Sequence, residues 1–494
     1  TGDVLPEFNE ELEGQKNELI GQKFQQRHRL LLRIRLEELY KNGGYADVAI
    51  QTSEEKEKES GAVHLQADII SGTLVAIHDI TVSGLSRTQE TFVYKKLKFQ
   101  AGEPYSQAKV RESFSSLYET GLFQSVNIEL EKGPQLQSRS MSVDIKEKRN
   151  RELFVEPGWG SYELLRLSAG YRDWNLFGNG HRYRLQTGVS VKGRSVEMAF
   201  TEPRLLGTDI EMDFPIHYRY REEPTFTTEN TGFAVYLSKK FPRNIQITGG
   251  YKTDISNTTN IDVAESASGT EDSYTTAIMT MQLVRDTRDD YFFPTKGYRG
   301  FASVDIASPL VGSTLSFYRL KAGARVFRPT GKSSVLGMRY AAGIILPVGD
   351  QEGIPVGERF YNGGENSVRS FKESDLGPLD TANQPLGGAA YNVFTLEWRY
   401  KFSDAIATSF FVDTGNVAPN GGQQLESLMA GSKKELIDAT LQDFFRDMKI
   451  GIGAGVQYLL PVGPARLDLA FNPNADKETD EDEYVIHFSI GMAF

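Results

Sequence analysis

From about Leu153 to Phe494 the chain alternates apolar and polar residues, segment after segment, with turn residues between. The final segment, YVIHFSIGMAF, is the clearest. Tyr484, Ile486, Phe488, Ile490, Met492 and Phe494 fall on one face, and Val485, His487, Ser489, Gly491 and Ala493 on the other. Side chains of a strand point alternately to opposite faces, so such a segment is apolar on one side and small or polar on the other. About ten residues of this kind span a bilayer once when tilted. HRYRLQTGV (181–189) and KIGIGAGVQYL (449–459) repeat the pattern, and about sixteen segments carry it. A soluble sandwich would need a second sheet for every apolar face. The recurrence favours a transmembrane antiparallel β-barrel of about sixteen strands, an even number as single-chain bacterial barrels require. No run of about eighteen apolar residues exists, so no transmembrane helix is expected. The mean hydropathy of −0.40 fits a barrel, whose polar lumen half offsets its apolar outer half.

The connections test the barrel. Every second turn should be short: FGNG (177–180), FPRN (241–244), RPTGKSS (328–334), SDA (403–405) and LPVGPA (460–465). The intervening ones should be longer: residues 221–230, 257–272, 349–388, 418–447 and 474–483. Residues 285–298 lie on the short side yet are long. The stretch 425–448 has apolar residues at helical spacing and reads as a small cap on the barrel rim.

The front of the chain contains a repeat. LYKNGGYADVAI (39–50) and LYETGLFQSVNI (117–128) share Leu-Tyr, a glycine, an aromatic and Val-x-Ile at matching offsets. Each reads as a helix end, a glycine C-cap (Gly43, Gly121) and a strand start. The second unit is complete: strand 77–82, a helical stretch 87–97, a helix from Ser106 to Thr120, and strands 126–131 and 140–146. Val110, Phe114 and Leu117 should form its core stripe. This β-α-α-β-β order resembles a polypeptide-transport-associated (POTRA) domain. The first unit shows a helix (25–42) and strands 45–51 and 63–70. It lacks a convincing opening strand in residues 1–21, as a truncated copy or the end of a longer series would. Residues 1–73 are thus read as a partial POTRA domain, 74–149 as a complete one, and 150–494 as the barrel. EEKEKES (54–60) reads as a solvated hairpin loop.

The connection from 349 to 388 is too long for a passive hairpin. It contains GGENSVRSFKESDLGP (363–378), with Arg369 amid glycines and polar residues. In the strand that follows, Phe394, Leu396, Trp398 and Tyr400 face lipid, so Glu397 faces the lumen. In the next, Phe410 and Val412 face lipid, so Phe411, Asp413 and Gly415 face the lumen. A loop folded inward would place Arg369 between Glu397 and Asp413. A guanidinium suits that place because its planar fork serves two carboxylates and keeps its charge. The alternative on periodicity alone is three ordinary lumen-wall charges solvated by water.

GGENSVRSF, with Val368, Arg369, Ser370 and Phe371, resembles the Val/Ile-Arg-Gly-Phe/Tyr motif of the outer-membrane protein assembly factor family. FVDTG (411–415) is similar to its Phe-x-Asp-x-Gly motif. Residues 285–300 and 464–474 look like further family segments, and HFSIGMAF resembles the terminal signal of outer-membrane barrels. The resemblance spans about residues 25–494 in the family's order, nearest the BamA type. It implies that Arg369 enters the lumen and pairs with Asp413 and Glu397. Serine at 370 departs from the family's glycine and puts the loop-tip backbone in question.

A barrel closes by pairing its first and last strands, here about 153–160 and 484–494. Pro157 cannot donate to a ladder and belongs at an edge. A weak seam there would expose backbone that an incoming strand could extend. The resemblance implies that this seam, with Pro157, Tyr484, Phe488, Ile490, Gly491 and Phe494, is a lateral gate for substrate barrels. It also implies partners: unfolded outer-membrane proteins, outer-membrane lipid and lipopolysaccharide, and periplasmic accessory lipoproteins or chaperones. The location implied is the bacterial outer membrane, with the POTRA domains in the periplasm. A TamA-like module, a two-partner secretion pore, and, from another class, a passive porin or receptor are the competing readings.

A net charge of −11 argues against nucleic acid as a partner. The chain has no cysteine, so disulfide frameworks and thiolate sites are out. His28, His64, His78, His181, His217 and His487 show no metal-ligand spacing, and no hydrolase or P-loop motif occurs. The expectation is no enzyme, no cofactor and no metal. The acidic runs 286–290 and 476–483 read as solvated turns. No signal peptide is visible at Thr1, so export would imply a processed or trimmed chain.

Overall fold

A computed structural model describes the chain except residues 59, 132–136, 263–272, 352, 420–432, 461–462 and 491–494. It divides into two compact units: residues 1–151 with 173–181, and residues 152–172 with 182–494.

The first unit opens with helices α1 (Asn9–Leu19) and α2 (Gln26–Asn42), followed by the hairpin β1 (Ala49–Lys56) and β2 (Val63–Ile70). Residues 1–21 hold a helix rather than a strand because NEELEGQKNEL is rich in helix formers. Leu36 and Tyr40 of α2 pack with Phe8, Val48, Ile50 and Ile69 into a small core. Strand β1 runs into the charge run. Glu54 and Glu55 pair with Leu65 and His64, so the hairpin is longer and its loop shorter than expected.

The second copy has β3 (Ala76–Ser83), α3 (Glu90–Tyr94), α4 (Gln107–Tyr118), β4 (Phe123–Leu130) and β5 (Ser138–Glu147). Its sheet order is β3-β5-β4, with β5 parallel to β3 and antiparallel to β4. Ser106 caps α4 by accepting from the Lys109 amide. Leu117 is fully buried and Val110 packs on the core, but Phe114 is exposed and stacks on Tyr118 at 5.7 Å. Ser113 takes the inward place. Its hydroxyl accepts from the Lys98 amide at 2.8 Å and donates to the Lys109 carbonyl at 2.6 Å, meeting a backbone need that an aromatic ring cannot.

The second unit is a closed barrel of sixteen strands, β6 to β21, in which neighbouring strands pair antiparallel. The strands that carry the interior sites and the seam are β6 (Arg151–Gly160), β7 (Leu164–Leu176), β14 (Gly297–Ala307), β15 (Phe317–Pro329), β16 (Ser334–Pro347), β17 (Ala390–Lys401), β18 (Ile406–Ala418), β19 (Lys449–Tyr458), β20 (Ala465–Phe471) and β21 (Tyr484–Ile490). The alternation is physical: Trp398 is 37% exposed on the outer face, and its neighbour Arg399 is 6% exposed on the inner one. Tyr484, Ile486 and Phe488 lie outside, and Val485, His487 and Ser489 inside. No helix among the described residues is long and apolar enough to cross a membrane, so the crossing is made by strands.

Short connections alternate with long ones, with two differences. The strands flanking 221–230 extend to Glu222 and from Thr227, which leaves a tight turn. The long connection 287–296 is built by its own acids. Asp289 accepts from the amides of Asp290, Thr295 and Lys296, and Asp290 from those of Phe292 and Phe293. The expected cap helix is α5 (Lys433–Gln442). Its Leu436 is buried against Phe317, Ile345 and Ile354, and the first part of the expected stretch lies outside the described residues.

Glu147 supplies a test of the second POTRA-like copy. Its carboxylate accepts from Ser86 Oγ at 2.6 Å and the Thr88 amide at 2.8 Å. Burial works against its charge, yet these hydrogen bonds, with that of the Arg87 amide, hold its pKa down from 4.5 to about 2. A depressed pKa stabilises the fold above the ordinary value, and that stability is lost as pH falls from 4.5 toward about 2. Glu147→Gln should remove this acid dependence and cost about 1 kcal/mol at neutral pH, because a charged acceptor becomes a neutral one. Hydrogen exchange at the Thr88 amide, followed against pH, reads both effects. Unchanged protection at neutral pH would refute them.

Candidate functional site

The connection between β16 and β17 does not stay outside the barrel. It folds inward through paired short bridges, Phe360 with Gly388, Asn362 with Leu376, and Leu379 with Pro385. Val368, Phe371 and Leu376 of this strap pack with Val417 of β18 into a small apolar cluster. That cluster sets Arg369 against the inner wall, where the residue is only 3% exposed.

The guanidinium meets three carboxylates. Its Nε and Nη2 donate to the two oxygens of Asp413 at 2.7 and 3.0 Å, a bidentate pair. Its Nη1 donates to Glu397 at 2.9 Å and, more weakly, to Asp468 at 3.4 Å. Its face lies 3.3 Å above the Phe411 ring centroid. The Arg369 carbonyl is held by His487 Nε2 at 2.9 Å. Three acids around one cation would leave excess negative charge. Arg466 relieves it at Asp468 (3.1 Å), and Arg399 lies 3.8 Å from Glu397. Buried ions persist only when paired and hydrogen-bonded in this way.

Glycines make the room. Asp413, Phe411 and Ser409 of β18 sit opposite Gly451, Gly453 and Gly455 of β19. A Cβ at Gly453 would lie 2.2 Å from the Phe411 ring, and one at Gly455 would lie 2.0 Å from Asp468 Oδ1. A Cβ at Gly451 would lie 2.5 Å from Ser370 Oγ. Gly415 likewise clears the space that Val368 fills, since its Cβ would lie 2.8 Å from a Val368 methyl. The polar face of β19 is therefore glycine because the strap and its anchor occupy the volume that side chains would take. Ser370 is buried and is absent from the non-glycine residues with positive φ, so its backbone needs no glycine.

The structure thus brings Arg369, Glu397, Asp413, Phe411 and Gly415 together with Val368, Ser370 and Phe371. Sequence reading missed Asp468 and His487. Both stand on inner faces of quoted segments, so the period-two pattern could have flagged them, but not their convergence on one atom group.

The seam is the second feature. Neighbouring walls pair through long registers, such as Ala390–Lys401 with Ala407–Ala418. Between β21 and β6 the described residues give one backbone pair, Ile490 with Trp159. Side chains reinforce it. Ser161 Oγ contacts the Phe488 amide at 2.7 Å, and Arg166 Nη2 of β7 donates to the carbonyls of Trp159 and Ile490 at 3.2 and 3.3 Å. The Ser161 amide also donates to Glu365 of the strap at 3.2 Å. Pro157 is exposed on β6, just before this pair. Gly491 and Phe494 lie outside the described residues.

An apolar-coated sixteen-stranded barrel, with an inward strap pinned by one arginine and a POTRA-like α+β region ahead of it in sequence, defines a class of outer-membrane β-barrel protein. The chain belongs to the Omp85 superfamily, whose domain matches residues 175–494; a second match, to the POTRA "surface antigen variable number repeat", covers residues 75–148. It is 23% identical over 464 residues to the outer membrane protein assembly factor BamA of Nitratidesulfovibrio vulgaris, covering 93% of this chain and 56% of that one. It is 24% identical to BamA of Neisseria meningitidis, covering 92% of this chain and 61% of that one. The chain thus spans little more than half the length of these relatives. In fold it is similar to the crystal structure of BamA from Haemophilus ducreyi lacking POTRA domains 1–3, with a TM-score of 0.78, 18% identity, and 99% and 98% of the two chains covered.

Arg369→Ala should destabilise the barrel by about 3–5 kcal/mol, since it strands buried carboxylates. Loss of heat-modifiable migration at lower denaturant, and faster proteolysis of the strap, are the readouts; wild-type behaviour in both would refute the anchor. Gly451→Ala should cost about 1–3 kcal/mol by overpacking against Ser370. Ser370→Gly should recover most of that loss in the double variant, and an additive double variant would refute the contact.

Proposed function

We propose that this protein is a BamA-like assembly factor that folds and inserts β-barrel proteins into the bacterial outer membrane. The observation that carries the proposal is the seam. The backbone pair Ile490–Trp159 lies beside side-chain contacts from Ser161 and Arg166, at the place where β6 ends and β21 runs on. In that register Tyr484 to Ser489 of β21 run past the end of β6 and have no backbone ladder partner there among the described residues. A substrate strand can extend such an edge through main-chain hydrogen bonds, independent of its sequence. The POTRA-like sheet offers a similar edge and would capture extended segments in the periplasm before they reach the barrel. The anchored strap keeps the interior rigid while the seam parts.

The partners follow from this reading. They are unfolded outer-membrane proteins, the surrounding lipid and lipopolysaccharide, and periplasmic accessory lipoproteins or chaperones. The work requires no bond chemistry, so the protein acts without a catalytic residue or cofactor.

A lock tests it. Trp159 and Ile490 are direct cross-strand partners, within disulfide reach, and the chain has no other thiol to interfere. Trp159→Cys with Ile490→Cys, oxidised, should stop assembly of unrelated barrels in depleted cells or proteoliposomes, and reductant should restore it. Normal assembly with the seam locked would sink the gate. Loss of one secreted substrate alone on depletion would move the reading to a secretion pore.

A further inference from the structure

Not all of the lumen's arginines have acids. Arg299 of β14, Arg325 of β15 and Arg339 of β16 are successive direct cross-strand partners on the inner face. Like charges placed directly opposite repel, so such a row costs stability unless something answers it. Arg299 lies 3.7 Å from Asp286. Arg325 and Arg339 have no carboxylate within 4 Å among the described residues; Arg339 donates only to the carbonyl of Asn366 on the strap. Asp413, the acid nearest in register to Arg339 beyond Thr395, is committed to Arg369.

Arg325 and Arg339 line a cavity of about 270 Å³ between the inner wall, the strap and the connection 287–296. Arg288, Arg399 and Arg466 line it as well, against only Glu365 and Glu397. Arg399 is 6% exposed; its Nη2 donates to the Pro294 carbonyl at 2.6 Å, while its Nε, 3.8 Å from Glu397, has no hydrogen-bond acceptor among the described residues. The cavity is therefore a cationic concavity with spare, forked donors.

We propose that this cavity is a binding site for one phosphate-type oxyanion, held by the guanidinium forks of Arg325 and Arg339. Paired forks match the oxygens of a tetrahedral anion, and cross-strand placement brings both to one point. The ligand is a free phosphate or the phosphate of a lipid headgroup. Its binding converts a repelling row into a bridged one and ties β15 to β16 beside the strap.

Calorimetric titration of inorganic phosphate into the detergent-solubilised chain, at constant ionic strength set by chloride, tests the proposal. Saturable binding of one ion per chain is expected. Arg325→Gln and Arg339→Gln should each weaken it about tenfold or more, as the loss of a charged hydrogen bond predicts. Arg325→Lys, which keeps the charge but loses the fork, should weaken it too. Each variant lowers or preserves the repulsion, and heat-modifiable migration verifies that it folds. A parallel titration with micelles doped with phosphatidylglycerol identifies the source: saturation there but not with free phosphate assigns a headgroup. Absence of saturation in both arms, or equal affinity in wild type and all three variants, overturns the site.

Discussion

One guanidinium inside a low-dielectric wall sets the terms for the interior of this barrel. Arg369 cannot lose its charge, and a buried cation without partners is costly. Its bidentate contact to Asp413 and its reach to Glu397 and Asp468 tie the strap to β17, β18 and β20 at once. Its carbonyl adds β21 through His487. A single residue thus joins four of the last five strands to the strap, three through its side chain and one through its carbonyl. The aromatic floor and the glycine face of β19 follow from that placement, because the volume is already taken.

The same strap reaches the seam. Glu365, four residues before the anchor, accepts from the Ser161 amide at the top of β6. Arg166 and Ser161 add side-chain hydrogen bonds to the closing strands beside the backbone pair Ile490–Trp159. Side-chain contacts of this kind can be exchanged one at a time, whereas a ladder of many backbone bonds opens only as a unit. The anchor and the seam differ in how their hydrogen bonds are made: a buried guanidinium among carboxylates at one, side chains on strand backbone at the other. The proposed oxyanion cavity belongs to the same economy of charge, on the wall where arginines outnumber acids.

Much of this was legible from the order of residues. Period-two alternation from Leu153 onward forces one face out and one face in, and so fixes which side of the wall Glu397, Phe411 and Asp413 occupy. The strand count, the alternation of short and long turns, and the helix capped by Ser106 also follow from local rules of pattern and capping. Those rules concern neighbours along the chain, and they end there. Phe114 shares a helical stripe with Leu117 yet lies outside, because Ser113 is drawn in by the distant Lys98 amide. Asp468 and His487 were visible as inward residues, but nothing local says that they meet Arg369. The three glycines of β19 read as a merely polar face until the strap is seen filling the space. Alternation repeated over about sixteen segments favours a membrane-spanning cylinder with a polar interior over a soluble sandwich, since every apolar face of a sandwich would need a second sheet. Which charges meet, and which side chains brace the closing strands, is set by contacts between residues tens to hundreds of positions apart, beyond the reach of any local pattern.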